Sequence, residues 1–166
     1  MCIRDRQRIQ QALPLAQGPA DRFTLANTRF YAAWVYYALR QVDAVLAQTE
    51  AAMTVARAQG FTLFLELSTI LHGWALATQG QRDEGIAHMQ HSVAAYRAAD
   101  AVMHQPWYLG LFAEVYAQGG QIAAGLDAVT EALTTTETTG ERYWEAELYR
   151  DAKANYCCCT PRSGHR

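Results

Sequence analysis

Between Cys2 and Cys157 the chain contains no cysteine. Its four cysteines are Cys2 and the run Cys157-Cys158-Cys159, so no disulfide framework can staple the interior, and the separated pairs of a structural zinc site are missing. An excess of charge is also missing. The formal net charge is -2 over 166 residues, which leaves no electrostatic case for nucleic acid or an anionic membrane surface. Arg4, Arg6 and Arg8 cluster near the start but form no stripe along one face. The longest apolar run, Phe30 to Leu39 (FYAAWVYYAL), is far too short to span a bilayer. Met1 to Gln11 is too charged and polar for a secretory signal, which points to the cytoplasm. No GxxxxGK(S/T), HExxH, GxSxG or paired CxxC occurs, so the expectation is no enzyme, no cofactor and no metal.

What the chain does have is material for a core: 51% apolar residues, with 9 Tyr, 5 Phe and 4 Trp. It also has a repeat. QGQRDEG at Gln79 to Gly85 is echoed forty residues later by GGQIAAG at Gly119 to Gly125. Laying 27–60, 67–100 and 107–140 on one another aligns Gln41, Gln81 and Gln121, then Leu46, Ile86 and Leu126, then Met53, Val93 and Leu133. Small residues Ala33, Gly73 and Ala113 coincide, as do the large Tyr36, Leu76 and Tyr116, and Trp34 falls on Trp74. Gly60, Asp100 and Gly140 close the units. Such self-similarity marks a repeat architecture.

Each unit divides into two helical halves. Leu67, Ile70, Leu71 and Trp74 fall on one helix face in the first half, and Ile86, Met89, Val93 and Tyr96 in the second. Gly80 and Gly120 are placed to end the first helix in a left-handed conformation. Arg40, the equivalent residue in the first unit, has no such freedom, and a different turn type is expected there. Mid-helix Gly73 costs roughly 1 kcal/mol against Ala, and close approach of the partner helix is the expected compensation. Gly85 and Gly125 are expected to serve the same purpose from the second helix, facing the first. A single hairpin buries little, so the hairpins must stack. Residues 1–19 read as the remnant of a preceding helix (Asp5 to Leu15) and a linker closed by Gly18-Pro19. Residues 20–156 hold the repeats, at about 22–60, 61–100, 101–140 and a half repeat 141–156. In the half repeat, Tyr143, Ala146, Tyr149 and then Ala152 or Lys153 are expected to face inward. Residues 157–166 read as a disordered tail.

The pattern resembles a tetratricopeptide-repeat array of the long-period kind found in bacterial regulators. Gly73, Gly80, Gly85 and Ser92 stand at its signature positions in the second unit, Ala113, Gly120, Gly125 and Ala132 in the third, and Ala33, Arg40, Val45 and Ala52 in the first. The resemblance implies an all-α, right-handed solenoid of antiparallel helical hairpins with a period of 40. The run Thr139 to Arg150 (TGERYWEAELYR) further resembles the C-terminal region of bacterial ATPase-linked cyclase or transcriptional regulators. This implies that the chain is a fragment of such a protein. Asp151 to Arg166 departs from that pattern, as a truncated or frame-shifted gene would, and Met1 to Arg6 (MCIRDR) reads as foreign to the native chain.

Three functions are in play. The first is a protein-interaction or scaffold module, binding a peptide, a protein or the ATPase part of its own parent. The candidate groove is made by first-helix residues: Asn27, Arg29, Glu66, His72, Trp107, Tyr108 and Glu114. The plainer reading of its aromatics is packing between repeats. The second is a spacer or homodimerisation arm, pairing through the cut ends of the stack. The third is an enzyme centred on His72, His88 and His91, of which His88 and His91 can share a helix face. A metal there would need a further ligand, and none recurs at the equivalent positions.

Overall fold

The computed structural model describes residues 3–16, 21–98 and 103–156. The expectations for Cys157 to Cys159, the tail 157–166, Gly18-Pro19 and Asp100 lie outside the described residues. Within them the chain is helical, with no strand. The elements are α1 Ile3–Ala16, α2 Arg22–Ala38, α3 Val42–Gln59, α4 Thr62–Thr78, α5 Arg82–Ala98, α6 Gln105–Gln118, α7 Ile122–Thr139, a 3-10 turn Arg142–Trp144 and α8 Glu145–Tyr156. They group into two compact units, Met1–Ala101 with α1 to α5 and Val102–Arg166 with α6 to α8. In the first unit α2 pairs with α3, and α4 pairs with α5 and packs back on α3. In the second, α6 pairs with α7 and α8 rests on both.

The two predicted helical faces bury themselves. Leu67, Ile70, Leu71 and Trp74 of α4 are all buried, and so are Met89, Val93 and Tyr96 of α5. Each such side chain contributes about 1.5–3 kcal/mol when fully removed from water. The turns that join first to second helices are built alike. The amide of Gln81 donates to Leu76 O at 3.0 Å and that of Gly80 to Ala77 O at 3.1 Å. Gln121 and Gly120 repeat these bonds at 2.9 and 3.0 Å. This pair of bonds satisfies the last carbonyls of the helix and requires a positive φ at the residue between. Gly80 and Gly120 supply it, at φ 100 and 68.

Arg40 does the same, against expectation. Its φ is 56, and Gln41 N–H to Tyr36 O (3.0 Å) and Arg40 N–H to Tyr37 O (2.9 Å) complete the same motif. A left-handed L-residue costs roughly 1–2 kcal/mol. The two backbone bonds offset part of that. So does the Arg40 guanidinium, which lies over the rings of Tyr37 (5.3 Å) and Trp74 (5.7 Å), a contact worth about 0.5–1 kcal/mol at an exposed site.

The small residues mark close approaches, but not all of the expected kind. A Cβ on Gly73 would lie 2.5 Å from Gly85 O and 2.7 Å from Met89 Cγ, and one on Gly85 would lie 2.8 Å from Ala77 N. The backbones of α4 and α5 therefore touch, as predicted. At Gly125 the three atoms nearest to such a Cβ all belong to Tyr156 of α8, so this glycine also makes room for a side chain of the following helix. The inward face of α8 also differs from the expectation. Tyr143, Ala146 and Tyr149 are exposed, and Leu148 and Tyr156 are buried. The correct face follows the forty-residue register, which places Tyr156 where Tyr36, Leu76 and Tyr116 stand. The Tyr156 hydroxyl donates to Ala113 O, and burial pushes its phenol up to about 12.

Candidate functional site

In the first unit Asn27, Arg29, Glu66 and His72 are all half-buried. Arg29 reaches the second helix of its own hairpin, donating from Nη1 to Gln48 Oε1 at 2.8 Å. His72 also turns toward second helices. Its Nδ1 lies 3.0 Å from Thr49 Oγ1 of α3, and its ring stacks on His88 of α5 with centroids 6.2 Å apart. Thr49 Oγ1 also lies within hydrogen-bond distance of Val45 O (2.8 Å) and Leu46 O (3.0 Å) of its own helix. Burial holds His72 below the ordinary histidine range. Glu50 and Glu84 pull it up, and His88 adds to the lowering. His72 thus ties one hairpin to the next. Its histidine partner is His88, and His91 is exposed. Among the described residues no group of three or more His, Cys, Asp or Glu is placed to hold a metal ion.

In the second unit Trp107, Tyr108 and Glu114 are buried. Trp107 packs near His104 (6.4 Å, edge-on) and Trp144 (6.4 Å). Glu114 Oε1 accepts from Gln118 Nε2 at 3.3 Å. His104 caps α6 in a left-handed conformation, φ 62, with its amide donating to Glu141 Oε1 at 3.1 Å. Burial holds the His104 imidazole low, against the pull of Glu141.

Sequence reasoning passed over two surface features. Tyr31 is exposed and stacks on Trp34 at 5.7 Å with nearly parallel rings, a pair that the i, i+3 spacing could have revealed. Phe23 and Leu63, forty residues apart, are also exposed, and the repeat register could have found them.

No protein-family model matches the chain. Over 83 residues, half of this chain, it is 35% identical to an uncharacterized protein of Rhizobium meliloti (strain 1021), of which the match covers 8%. In three dimensions it is similar to the crystal structure of aspartyl phosphate phosphatase F from Bacillus subtilis, with a TM-score of 0.67 and 14% identity. That similarity covers 91% of this chain and 40% of the phosphatase chain. The fold is tetratricopeptide-like. The chain therefore spans much less than the full length of either protein. Among the described residues no helix is long and apolar enough to cross a membrane.

Proposed function

We propose that the chain is a non-catalytic protein-interaction or scaffold module and a fragment of a larger bacterial signalling ATPase or regulator, working in the cytoplasm. The supporting observation is the row of like-built hairpins, each closed by the same left-handed turn at residues 40, 80 and 120. Such hairpins present rigid helix faces and loops to a partner, while function resides in the surface they carry. The match to a small part of a longer bacterial protein supports the fragment reading. The half-buried Asn27, Arg29, Glu66 and His72 are the residues through which the first unit would meet a peptide, or the ATPase part of its own parent. In the second unit Trp107, Tyr108 and Glu114 are buried and would meet a partner only after a rearrangement that exposes them. A pull-down with the intact chain as bait and the remaining parental domains as prey tests this. Capture at micromolar concentration, weakened by Glu66→Ala, is the expected result. Failure to retain any of those domains or any host protein contradicts it.

A homodimerisation arm is the second reading, and the exposed Tyr143 and Tyr149 at the start and middle of the last helical segment favour it. Light scattering over a range of concentrations decides: a monomer throughout removes it.

A further inference from the structure

In the first unit the starts of α2 and α4 and the ends of α3 and α5 gather at one end of the antiparallel hairpins. Two large apolar side chains stand in water there, Phe23 at 52% and Leu63 at 42% exposure. The Phe23 ring is held edge-on against Phe61 (5.6 Å) and Phe64 (5.2 Å), so it is presented in a fixed attitude. Phe23 and Leu63 occupy one position of the forty-residue period. The next two residues at that position, Met103 and Tyr143, are again large and exposed, at 58% and 82%. Of the eight large hydrophobic side chains exposed among the described residues, four share this single position. Apolar residues scattered singly over a surface need no explanation, but one that returns in every repeat does.

Arginines outnumber acids at this end. Arg22 opens α2 and Arg57 lies in the last turn of α3, both exposed. Arg97 also stands there, in the last turn of α5. Two acids share this end: Asp21, which accepts from the Phe23 amide at 3.0 Å and from the Thr24 hydroxyl and keeps its charge, and Glu66, half-buried one turn after Leu63. The opposite end of these hairpins carries Asp43, Asp83 and Glu84 at the starts of α3 and α5, with Arg40 and Arg82 beside them, so acids outnumber arginines there.

We propose that this end of the first unit is a docking surface for an acidic segment of another protein that carries large apolar side chains. Phe23 and Leu63 make the apolar contacts, and Arg22 and Arg57 receive the carboxylates. The proposal rests on the interaction-module reading and adds to it a surface and a partner chemistry. Apolar anchors ringed by complementary charge give both affinity and selectivity.

The test is fluorescence anisotropy of the intact chain with two labelled peptides. Both carry the same Leu and Phe residues, interleaved with Asp and Glu in one and with Lys and Arg in the other. Leu63→Asp is the deciding variant. At the second position of α4 an aspartate suits the helix N-terminus, so the fold survives, as circular dichroism will verify, while the apolar contact is lost. The acidic peptide should bind at least about tenfold tighter than the basic one, and Leu63→Asp should weaken it about tenfold. Arg57→Glu should weaken it too and flatten its salt dependence. Equal binding of both peptides, no binding of either, or an affinity unmoved by Leu63→Asp overturns the proposal. If neither peptide binds while the intact chain still captures a parental domain, this surface is refuted and the module reading stands. Failure of both experiments removes both.

Discussion

Gly73→Ala separates packing from helix propensity within one residue. In an exposed helix the change would stabilise by about 1 kcal/mol. Here the added methyl would lie 2.5 Å from Gly85 O, 2.7 Å from Met89 Cγ and 3.3 Å from His88 Cβ. Met89 can change rotamer, but Gly85 O is backbone and can yield only if α4 and α5 part. Overpacking costs about 1–3 kcal/mol, and a 2.5 Å approach to a backbone atom belongs at the upper end, so after the propensity gain the expected net effect is a loss of roughly 1–2 kcal/mol. Gly110→Ala in α6 is the internal control, because its methyl would meet only Leu148 Cδ2, the tip of a flexible side chain, at 3.1 Å. It should stay within about 0.5 kcal/mol of the parent protein. Urea denaturation of the two variants, comparing midpoints at unchanged slope, measures both. A Gly73→Ala protein more stable than the parent, or one indistinguishable from Gly110→Ala, would refute the close-contact argument.

Three further outcomes are expected. Arg40→Ala keeps the left-handed strain and loses the contact with Tyr37 and Trp74, whereas Arg40→Gly loses the contact and the strain together. In chemical denaturation Arg40→Gly should therefore exceed Arg40→Ala by about 1 kcal/mol. Burial holds His72 and His104 below their unfolded value near 6.5, so the unfolded chain takes up protons first. Stability should be full above about pH 6.5 and fall as pH drops below it, and a urea midpoint less sensitive to pH in His72→Gln would confirm the assignment. The Tyr156 phenol should resist ionisation until about 12 in a spectrophotometric titration. Tyr156→Phe, which keeps the ring beside Gly125 and loses the bond to Ala113 O, should cost about 1 kcal/mol in thermal unfolding.

The helices were legible in the sequence because each buries one face at helical spacing, as Leu67, Ile70, Leu71 and Trp74 do. The turns at Gly80 and Gly120 were legible because glycine at the end of an apolar period has a stereochemical meaning. Arg40 was misread for the same reason. Propensity asks what a residue prefers, whereas the Gln41 to Tyr36 hydrogen bond and the rings beneath the guanidinium decide what it does. The inward face of α8 was misread because it was placed by three-residue spacing from Tyr143, although counting forty from Tyr116 reaches Tyr156. His72 could be placed on α4, but its engagement of Thr49 and His88 depends on a contact between hairpins that periodicity does not encode. The site was harder to read than the fold because a half-buried residue such as Asn27 carries the same signal in sequence whether it meets a partner or a neighbouring helix.

Backbone chemical shifts of the intact chain test the central claim, a row of hairpins closed alike, most directly. Helical shifts through 62–78 and 82–98, interrupted at residues 40, 80 and 120 by the signature of a positive φ, are the predicted result. Helical shifts running unbroken through those three residues, or extended shifts within α4 or α6, would contradict it.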